Sequence, residues 1–355
     1  MSLVNIARPE LRALKPYAAA AQVDGSVRLN ANEMPWPPRG DTFRRSLNRY
    51  PEVRPAKLAR ALAQRYGCSA EQLLVTRGTS EGIDLLIRAC CRPGIDSVLL
   101  PTPTFSMYQH YAAIQGARVV ECATSRSEDF AVDVDALIAS CDETTRVVFV
   151  CSPNNPTGNV WSTEELIRLL EARRDQSAIV VDEAYIEFAQ QESVVELLNR
   201  YENLVVLRTL SKALACAGAR CGSVIAAAAF IDLISAVQAP YAIATPVVEI
   251  VENALQAENL DQTDQYARDI IRAREELLLA METFPFVQKA WQSAANFFLV
   301  QVQDVDALLE HCAEHKLLLR YFGGDLADCV RITVGSAEDN GRLLAAFKEL
   351  ADKQR

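Results

Sequence analysis

Apolar and polar positions alternate between helical and strand-like patterns from residue 55 onward. The segment PAKLARALAQRYG (55–67) carries apolar residues at helical spacing, and the apolar run LLVT (73–76) that follows is typical of a short strand. The same order repeats in the helical EGIDLLIRACC (81–91) and the strand-like SVLL (97–100). Such alternation predicts an α/β fold.

Later apolar runs extend this prediction to a larger sheet. They are RVVFV (146–150), AIVVDEAY (178–185), NLVVLRT (203–209) and CGSVIAA (221–227). Uninterrupted apolar strands suit a mostly parallel sheet that is covered by helices on both faces. We therefore predict a large domain with such a sheet at its centre.

The C-terminal part of the chain has a different pattern. Residues 246–284 predict a long helical connection, and the shorter helical and strand-like segments after it indicate a smaller α+β domain. The proline-rich NANEMPWPP (30–38) near the N-terminus has no clear period. The predicted parts are an N-terminal arm with part of the small domain (1–45), a large domain (46–265) and a small C-terminal domain (266–355).

Composition and charge exclude several classes of protein. The 355 residues have a mean hydropathy of +0.02, and 46 acidic residues outnumber 36 basic ones. A broad nucleic-acid or membrane surface is therefore not expected. The N-terminus carries charges and prolines in place of an apolar leader, and the ten cysteines are scattered, as in reduced cytoplasmic proteins. His311 and His315 have helical spacing but lack the glutamate of H-E-x-x-H, so we predict no metal site.

The turn after the strand-like LLVT allows two interpretations. Gly78-Thr79-Ser80-Glu81-Gly82 matches G-x-S-x-G, the nucleophile turn of α/β-hydrolases, and Asp182 followed by His311 or His315 would complete a triad in the expected order. Alternatively, the free N–H groups at the start of the next helix, with the hydroxyls of Thr79 and Ser80, would bind an anion such as phosphate.

A single lysine lies in a segment of small apolar residues. The segment is TLSKALACAGARCG (209–222), in which Lys212 is followed by Arg220. Apolar surroundings disfavour the charged form of a lysine and lower its pKa, and the neutral amine is a nucleophile. The alternative is a lysine whose ammonium group simply extends to solvent.

Other polar groups follow strands of the predicted sheet. SPNNPTG (152–158) follows RVVFVC, Asp182 and Tyr185 follow AIVV, and Ser211 with Lys212 follows NLVVLRT. Because ligands collect at the carboxyl ends of parallel strands, we expect these groups to meet. Pyridoxal phosphate needs such a set: a lysine for covalent attachment, a carboxylate for its pyridine nitrogen, donors to its ring oxygen and a cationic phosphate cup.

The motifs together resemble the fold type I aminotransferases, which depend on pyridoxal 5′-phosphate. They extend over most of the chain and comprise LNANE (29–33), RYPE (49–52), RGTSEGIDLLIRA (77–89), PTPTFSMY (101–108), VCSPNNPTG (150–158), VDEAYIEF (181–188), RTLSKALACAGARCG (208–222), APYAIATP (239–246) and RITVG (331–335). Within this family, RYPE, RG-x-x-EGIDLL and DEAYIEF indicate the branch that acts on L-histidinol phosphate.

The resemblance implies a role for individual residues. Lys212 would bond to the cofactor and transfer protons, Asp182 would pair with the pyridine nitrogen, and Tyr185 would contact the ring oxygen. The other implied cofactor contacts are Asn155 at the ring oxygen, Tyr108 stacked on the ring, and Thr79, Ser80, Ser211 and Arg220 at the phosphate. The implied substrate contacts are Arg331, Arg320, Asn32 and, from the neighbouring subunit, Tyr50.

The implied function is the transfer of an amino group from L-histidinol phosphate to 2-oxoglutarate in histidine biosynthesis, by a cytoplasmic homodimer with shared active sites. The alternatives within the family are an aromatic amino acid aminotransferase and a relative that acts on a phosphorylated amino alcohol or acid. Outside it, the alternatives are the hydrolase with Ser80 as nucleophile and a non-catalytic protein of the same fold.

Overall fold

A computed structural model describes residues 2–23 and 26–353 of the chain. The α-helices in this part are α1 (Leu3–Ile6), α2 (Ala56–Tyr66), α3 (Gly78–Cys90), α4 (Met107–Gln115), α5 (Val134–Ala139), α6 (Thr163–Ala172), α7 (Ala228–Val237), α8 (Thr245–Ala254), α9 (Ala257–Met281), α10 (Val305–Glu314) and α11 (Ala337–Lys353). The strands are β1 (Leu73–Thr76), β2 (Ser97–Thr102), β3 (Arg118–Ala123), β4 (Thr145–Cys151), β5 (Ala178–Asp182), β6 (Leu204–Thr209), β7 (Gly222–Ala226), β8 (Val287–Ala290), β9 (Phe297–Val302), β10 (Arg320–Gly323) and β11 (Leu326–Thr333).

The larger sheet has seven strands in the order β1-β7-β6-β5-β4-β2-β3. Neighbouring strands from β6 to β3 run parallel, whereas β7 is antiparallel to both β1 and β6. Strands β5 and β6 are buried at every position, because helices cover both faces of the sheet. This architecture confirms the predicted α/β class with a mostly parallel sheet.

Helix α3 lies close to the sheet because it contains Gly82. A Cβ atom at this position would stand 2.9 Å from Val224 Cγ2 and 3.2 Å from Leu207 Cδ2, so a larger residue would push the helix away from β6 and β7. The close packing fixes where α3 begins. Its first residues lie at the edge of the sheet where β6 ends.

The smaller sheet is formed by four antiparallel strands in the order β10-β11-β9-β8. Its apolar face packs against α9, α10 and α11 around the fully buried Phe298 and Phe347. The α+β character predicted for the C-terminal part is present in this unit. The predicted boundary between residues 265 and 266 falls inside α9, and the division into domains stays a prediction.

The N-terminal segment has two contrasting parts. Leu3 and Ile6 of α1 are buried in the apolar cluster beneath the larger sheet. Farther along, large apolar side chains are exposed, namely Tyr17, Val23, Val27, Leu29, Met34 and Trp36. The segment is therefore attached to the large sheet at its start and presents an apolar surface after it. No helix in the described residues combines the length and the apolar character that crossing a bilayer requires.

Candidate active site

A cavity of about 490 Å³ opens at the carboxyl ends of the parallel strands. Residues that end or follow β4, β5 and β6 form its floor, and β10 and β11 of the smaller sheet contribute one wall. The cavity brings together ten of the predicted site residues, Thr79, Ser80, Asn155, Asp182, Tyr185, Ser211, Lys212, Arg220, Arg320 and Arg331. Strand order thus assembles groups that are distant in the sequence.

Asp182 is a buried carboxylate at the floor of this cavity. Only 2% of the residue is exposed, and its Oδ2 accepts a 2.8 Å hydrogen bond from the Tyr108 hydroxyl, while its Oδ1 accepts one of 3.1 Å from the Ala184 N–H. Burial raises the pKa of Asp182 to about 6, although both hydrogen bonds oppose the shift. A carboxylate in this position favours a cationic N–H donor as its ligand.

Tyr108 does not occupy its predicted position on the cofactor ring. The residue has no exposed surface, and its ring stacks on Phe149 at 4.6 Å between centroids. Its hydroxyl reaches Asp182 from behind the cavity wall. The stacking prediction is therefore wrong, because a fully enclosed ring leaves no face for a ligand, and Tyr108 acts on the site through Asp182.

Lys212 lies at the cavity wall, where it remains accessible to solvent. Its Nζ atom is 5.4 Å from the centroid of the Tyr185 ring. Partial enclosure of the ammonium group by protein lowers its pKa, and the guanidinium groups of Arg331 and Arg220 lower it further. The surroundings thus favour the neutral amine, which is the nucleophilic and basic form.

Asn155 and Tyr185 form a polar pair beside the lysine. Both residues are 7% exposed, and both line the cavity. Burial raises the pKa of Tyr185, so its hydroxyl remains a proton donor at neutral pH. The Oδ1 atom of Asn155 also accepts a hydrogen bond from Nη1 of Arg331, which ties this pair to the smaller sheet.

Two arginines of the smaller sheet lie opposite the large-sheet residues. Arg320 of β10 and Arg331 of β11 are directly paired across the ladder, and both line the cavity. The Arg331 guanidinium lies 4.9 Å from the Phe297 ring centroid and 5.5 Å from that of Phe322. Burial lowers the pKa of Arg331, and its Nε finds no hydrogen-bond partner within the described part of the chain. Two neighbouring guanidinium groups make this wall suited to an anion.

A second anion-binding arrangement surrounds the start of α3. Nη1 of Arg220 donates hydrogen bonds of 3.2 Å to Ser211 Oγ and to the Ala217 carbonyl. Gly78, at φ +72°, leaves room for this guanidinium, because a Cβ there would stand 2.7 Å from Arg220 Nη2. With the hydroxyls of Thr79 and Ser80 on the same side, the cup offers donors and positive charge to a phosphate.

Tyr50 and Asn32 lie outside this cavity in the single chain. Tyr50 is half exposed and stacks on Tyr241 at 4.6 Å between ring centroids. Asn32 is exposed in a left-handed backbone conformation, at φ 54°. Next to it, the buried carboxylate of Glu33 accepts hydrogen bonds from Arg49 and from the Tyr50 N–H, which joins the two segments. Neither residue lines the cavity in the single chain, and their substrate contacts stay predictions.

Comparison of the sequence with known proteins agrees with this arrangement of residues. The family model of aminotransferase class I and II fits residues 28–347. The chain belongs to this aminotransferase family. Among its relatives, the histidinol-phosphate aminotransferase of Stenotrophomonas maltophilia (strain R551-3) is 42% identical over 97% of this chain and 96% of its own length. That of Xylella fastidiosa (strain 9a5c) is 41% identical over 98% of this chain and 97% of its own length.

Solved structures agree in fold. The histidinol-phosphate aminotransferase of Sinorhizobium meliloti, in complex with pyridoxal-5′-phosphate, has a TM-score of 0.79, with 22% identity over 87% of this chain and 84% of that chain. Family membership confirms the predicted cofactor, pyridoxal phosphate. The cavity of this aminotransferase fits the group, since a buried carboxylate, an amine of lowered pKa and a cationic cup are present together.

The family identity and the geometry together exclude the hydrolase alternative. Ser80 lines the cavity, but His311 and His315 lie on α10 of the smaller unit and do not. His311 is moreover 5% exposed and contacts the Ala346 carbonyl, so it is a buried residue. Ser80 therefore has no base of the triad beside it.

Sequence reasoning missed several residues of the aminotransferase cavity. Phe105 lies three positions before Tyr108, in the same quoted motif, and it lines the cavity that Tyr108 does not reach. The signal for it was the motif itself, which contains two aromatic residues. The other missed lining residues are Thr104, Ser106, Cys151, Ala184, Thr209 and Phe322.

Proposed function

We propose that this aminotransferase moves the amino group of L-histidinol phosphate to 2-oxoglutarate, with pyridoxal phosphate as cofactor. The observation that carries the proposal is the presence of two separate cationic regions in one cavity, the Arg220 cup and the Arg320–Arg331 pair. One accepts the phosphate of the cofactor and the other the anionic end of the substrate. The names of the full-length relatives support the same substrate.

Lys212 provides the proton transfer. Bound pyridoxal phosphate supplies an electrophilic carbonyl and a ring that withdraws electrons from the amino-bearing carbon of the donor. The lowered pKa favours the neutral amine of Lys212, which is the form that would take the proton from that carbon. Arg220 and Arg331, which lower this pKa, are thus coupled electrostatically to the base.

Asp182 and its partners orient the cofactor ring. The carboxylate would hold the proton of the ring nitrogen, and the Tyr108 hydroxyl and the Ala184 N–H hold the carboxylate in turn. Asn155 and Tyr185 would donate to the ring oxygen. Groups fixed in this way need no reorganisation when charge develops during the reaction.

A panel of amino donors tests the proposed substrate. The purified holoenzyme is given 2-oxoglutarate with L-histidinol phosphate, histidinol, phenylalanine or phosphothreonine, and glutamate formation is measured. We expect the highest kcat/KM for histidinol phosphate and a value at least about 100-fold lower for histidinol, because the arginines would lack their counter-charge. Equal use of histidinol and histidinol phosphate would contradict the phosphate pocket.

Aromatic amino acids remain a second candidate class of donor. Phe105 and Phe322 line the cavity, and Phe322 lies beside the Arg331 guanidinium. An apolar wall of this kind also suits a phenyl side chain. In the same panel, a higher kcat/KM for phenylalanine than for histidinol phosphate would support this class over the first.

We further propose a homodimer in which Tyr50 and Asn32 reach the site of the partner. The exposed apolar side chains between residues 14 and 36 support an interface there. In mixed dimers of Lys212→Ala and Tyr50→Ala chains, one site carries both changes and the other carries neither. Subunit exchange should then restore about a quarter of wild-type activity. With exchange confirmed, a mixture no more active than its parents would exclude the contribution of Tyr50 across the interface.

The cytoplasm is the proposed compartment. All ten cysteines lie in the described residues and are free thiols. Burial raises the pKa of several of them, including Cys90 and Cys151, both to about 12. Free thiols in this number suit a reducing environment.

A further inference from the structure

Three side chains of metal-binding type meet on the smaller unit, outside the cofactor cavity. His311 on α10 and His315 at its C-terminal end are one turn apart, and Glu349 comes from α11. One ligand atom of each residue lies within 4.8 Å of those of the other two. The sequence predicts no metal site here, because the two histidines lack the glutamate of H-E-x-x-H. Glu349 follows His315 by 34 positions and belongs to another helix.

Two hydrogen bonds orient the His315 ring toward Glu349. Its Nδ1 lies 2.9 Å from the carbonyl oxygen of His311, and a carbonyl only accepts, so Nδ1 carries the proton. Its Nε2 lies 3.0 Å from Glu349 Oε2, which also only accepts, so Nε2 donates to this carboxylate. A cation bound here would take the place of that proton, because metal binding releases protons from its ligands.

His311 is fixed in a comparable way. It is 5% exposed, its Nε2 lies 2.9 Å from the Ala346 carbonyl oxygen, and its Nδ1 is 3.9 Å from Glu314 Oε2. Because a carbonyl only accepts, Nε2 carries the proton and Nδ1 has the lone pair for a metal. Histidines that bind metals usually have such an acceptor on the second nitrogen, because it orients the ring and raises its basicity.

The two oxygens of the Glu349 carboxylate have different partners. Lys353 Nζ lies 2.8 Å from Oε1, which leaves Oε2 directed at His315. Tetrahedral zinc ligands stand about 3.4 Å apart, so the widest separation here must shorten by about 1.4 Å. Glu349 and His315 are 48% and 34% exposed, which leaves both side chains room to rotate.

The neighbouring thiol does not compete for the ion. Cys312 follows His311 in α10, but it has no exposed surface and belongs to the apolar cluster of the smaller unit.

We propose that His311, His315 and Glu349 bind one divalent cation of the zinc class. Two imidazoles and a carboxylate form a set that zinc accepts, with water in the fourth position. The ion would link α10 to α11 and stabilise the smaller unit. Because these residues lie outside the cavity, its role is structural and independent of the amino-transfer chemistry.

Zinc titration of the holoenzyme tests the site. The protein is freed of metals with EDTA, dialysed and titrated with Zn²⁺ in competition with a chromophoric chelator. The variants are His315→Ala and the near-isosteric Glu349→Gln, and His110→Ala is the matched control, since His110 is the third histidine of the chain and is exposed on α4. We expect wild type and the control to bind one Zn²⁺ per chain, and both cluster variants to bind it at least about 10-fold more weakly.

The melting temperature gives a second measurement. Zn²⁺ should raise it in wild type and in His110→Ala, and the increase should be smaller in Glu349→Gln, even if His315→Ala folds poorly. Zinc binding of equal affinity in wild type and both cluster variants would place the ion at other groups and overturn the proposal. Failure of wild type to bind Zn²⁺ at about 100 µM would overturn it too, whatever the outcome for amino-transfer activity.

Discussion

The two sides of the active-site cavity are built differently. On the floor, Asp182 is almost fully buried and accepts hydrogen bonds from Tyr108 and Ala184. On the opposite wall and in the phosphate cup, Arg320 and Arg220 are exposed. The groups that orient the reacting ring are thus fixed in the core, whereas the anion-binding arginines Arg220 and Arg320 are accessible to solvent. Changes on the floor should therefore reduce turnover, and changes at the arginines should chiefly reduce affinity.

The largest effect on kcat is expected at Lys212, which lies between the two sides of the cavity. Lys212→Ala should lower kcat by about 10⁴-fold or more, because it removes both the attachment point and the base. Borohydride reduction followed by mass spectrometry should find the cofactor bonded to Lys212 in wild type and not bonded in the variant. Lys348→Ala, a change at an exposed lysine of α11, is the control. A loss of less than about ten-fold in Lys212→Ala would contradict the assignment.

The second-largest effect on kcat is expected at Asp182, on the floor of the cavity. Asp182→Asn should retain the cofactor, because the phosphate cup is unchanged, but lose about 3 kcal/mol of transition-state stabilisation, or about 100-fold in kcat. Steady-state kinetics with the best donor of the panel measures the loss. A variant with near-normal kcat would show that the carboxylate does not orient the ring.

The same substitution should stabilise the cofactor-free protein in a pH-dependent way. The pKa of Asp182 is raised from 3.8 to about 6, so the folded state favours the protonated carboxyl. This contribution to stability is complete below pH 4 and is lost as the pH rises through 6, where the buried carboxylate costs about 3 kcal/mol. Urea denaturation should show that the free energy of unfolding of Asp182→Asn increases relative to that of wild type as the pH rises from 4 to 7. A difference that is constant with pH would contradict this.

Substitutions of Arg331 and Arg320, on the wall opposite the floor, should chiefly weaken substrate binding. Arg331→Lys should raise KM for the anionic substrate by about 10- to 100-fold with a smaller change in kcat, because a lysine offers no planar pair of donors. Arg320→Lys is the matched comparison on the paired strand, and its effect should be smaller because Arg320 is exposed. Similar losses of kcat in both variants, at unchanged KM, would remove the contrast between floor and wall.

The smallest effect on kcat is expected at Tyr108, which lies behind the floor of the cavity. Tyr108→Phe removes the hydrogen bond to Asp182, which should reduce kcat by about five-fold, the effect of about 1 kcal/mol. Because this bond lowers the pKa of Asp182, its loss should raise that pKa further and move the acidic limb of the pH–rate profile upward. Tyr111→Phe on the same helix is the control. A profile identical to that of wild type would indicate that Tyr108 only fills space.

The sequence predicted much of the large sheet because its strands are local features. The run AIVVD is apolar at four successive positions, and β5 is buried along its whole length. The polar residues that follow the runs could be assigned to one edge, since parallel strands end on the same side. The family motifs then supplied roles for Lys212 and Asp182 that spacing alone left open.

The aromatic residues of PTPTFSMY show where such reasoning fails. Phe105 and Tyr108 lie three positions apart, and the sequence does not tell which of them faces the cavity. The packing of α4 against the sheet decides it, because this packing encloses Tyr108 beside Phe149 and leaves Phe105 at the opening. The choice depends on contacts with a strand some forty residues away in the chain.

The sequence by itself determined the α/β class, the strand ends that carry polar groups and the cofactor type, because each depends on residues that are neighbours in the chain or on recognisable motifs. Tertiary structure alone decided that Tyr108 supports Asp182, that Arg320 and Arg331 are paired, and that Glu349 meets His311 and His315. Such contacts join separate elements, and their geometry follows from how helices and strands pack against one another.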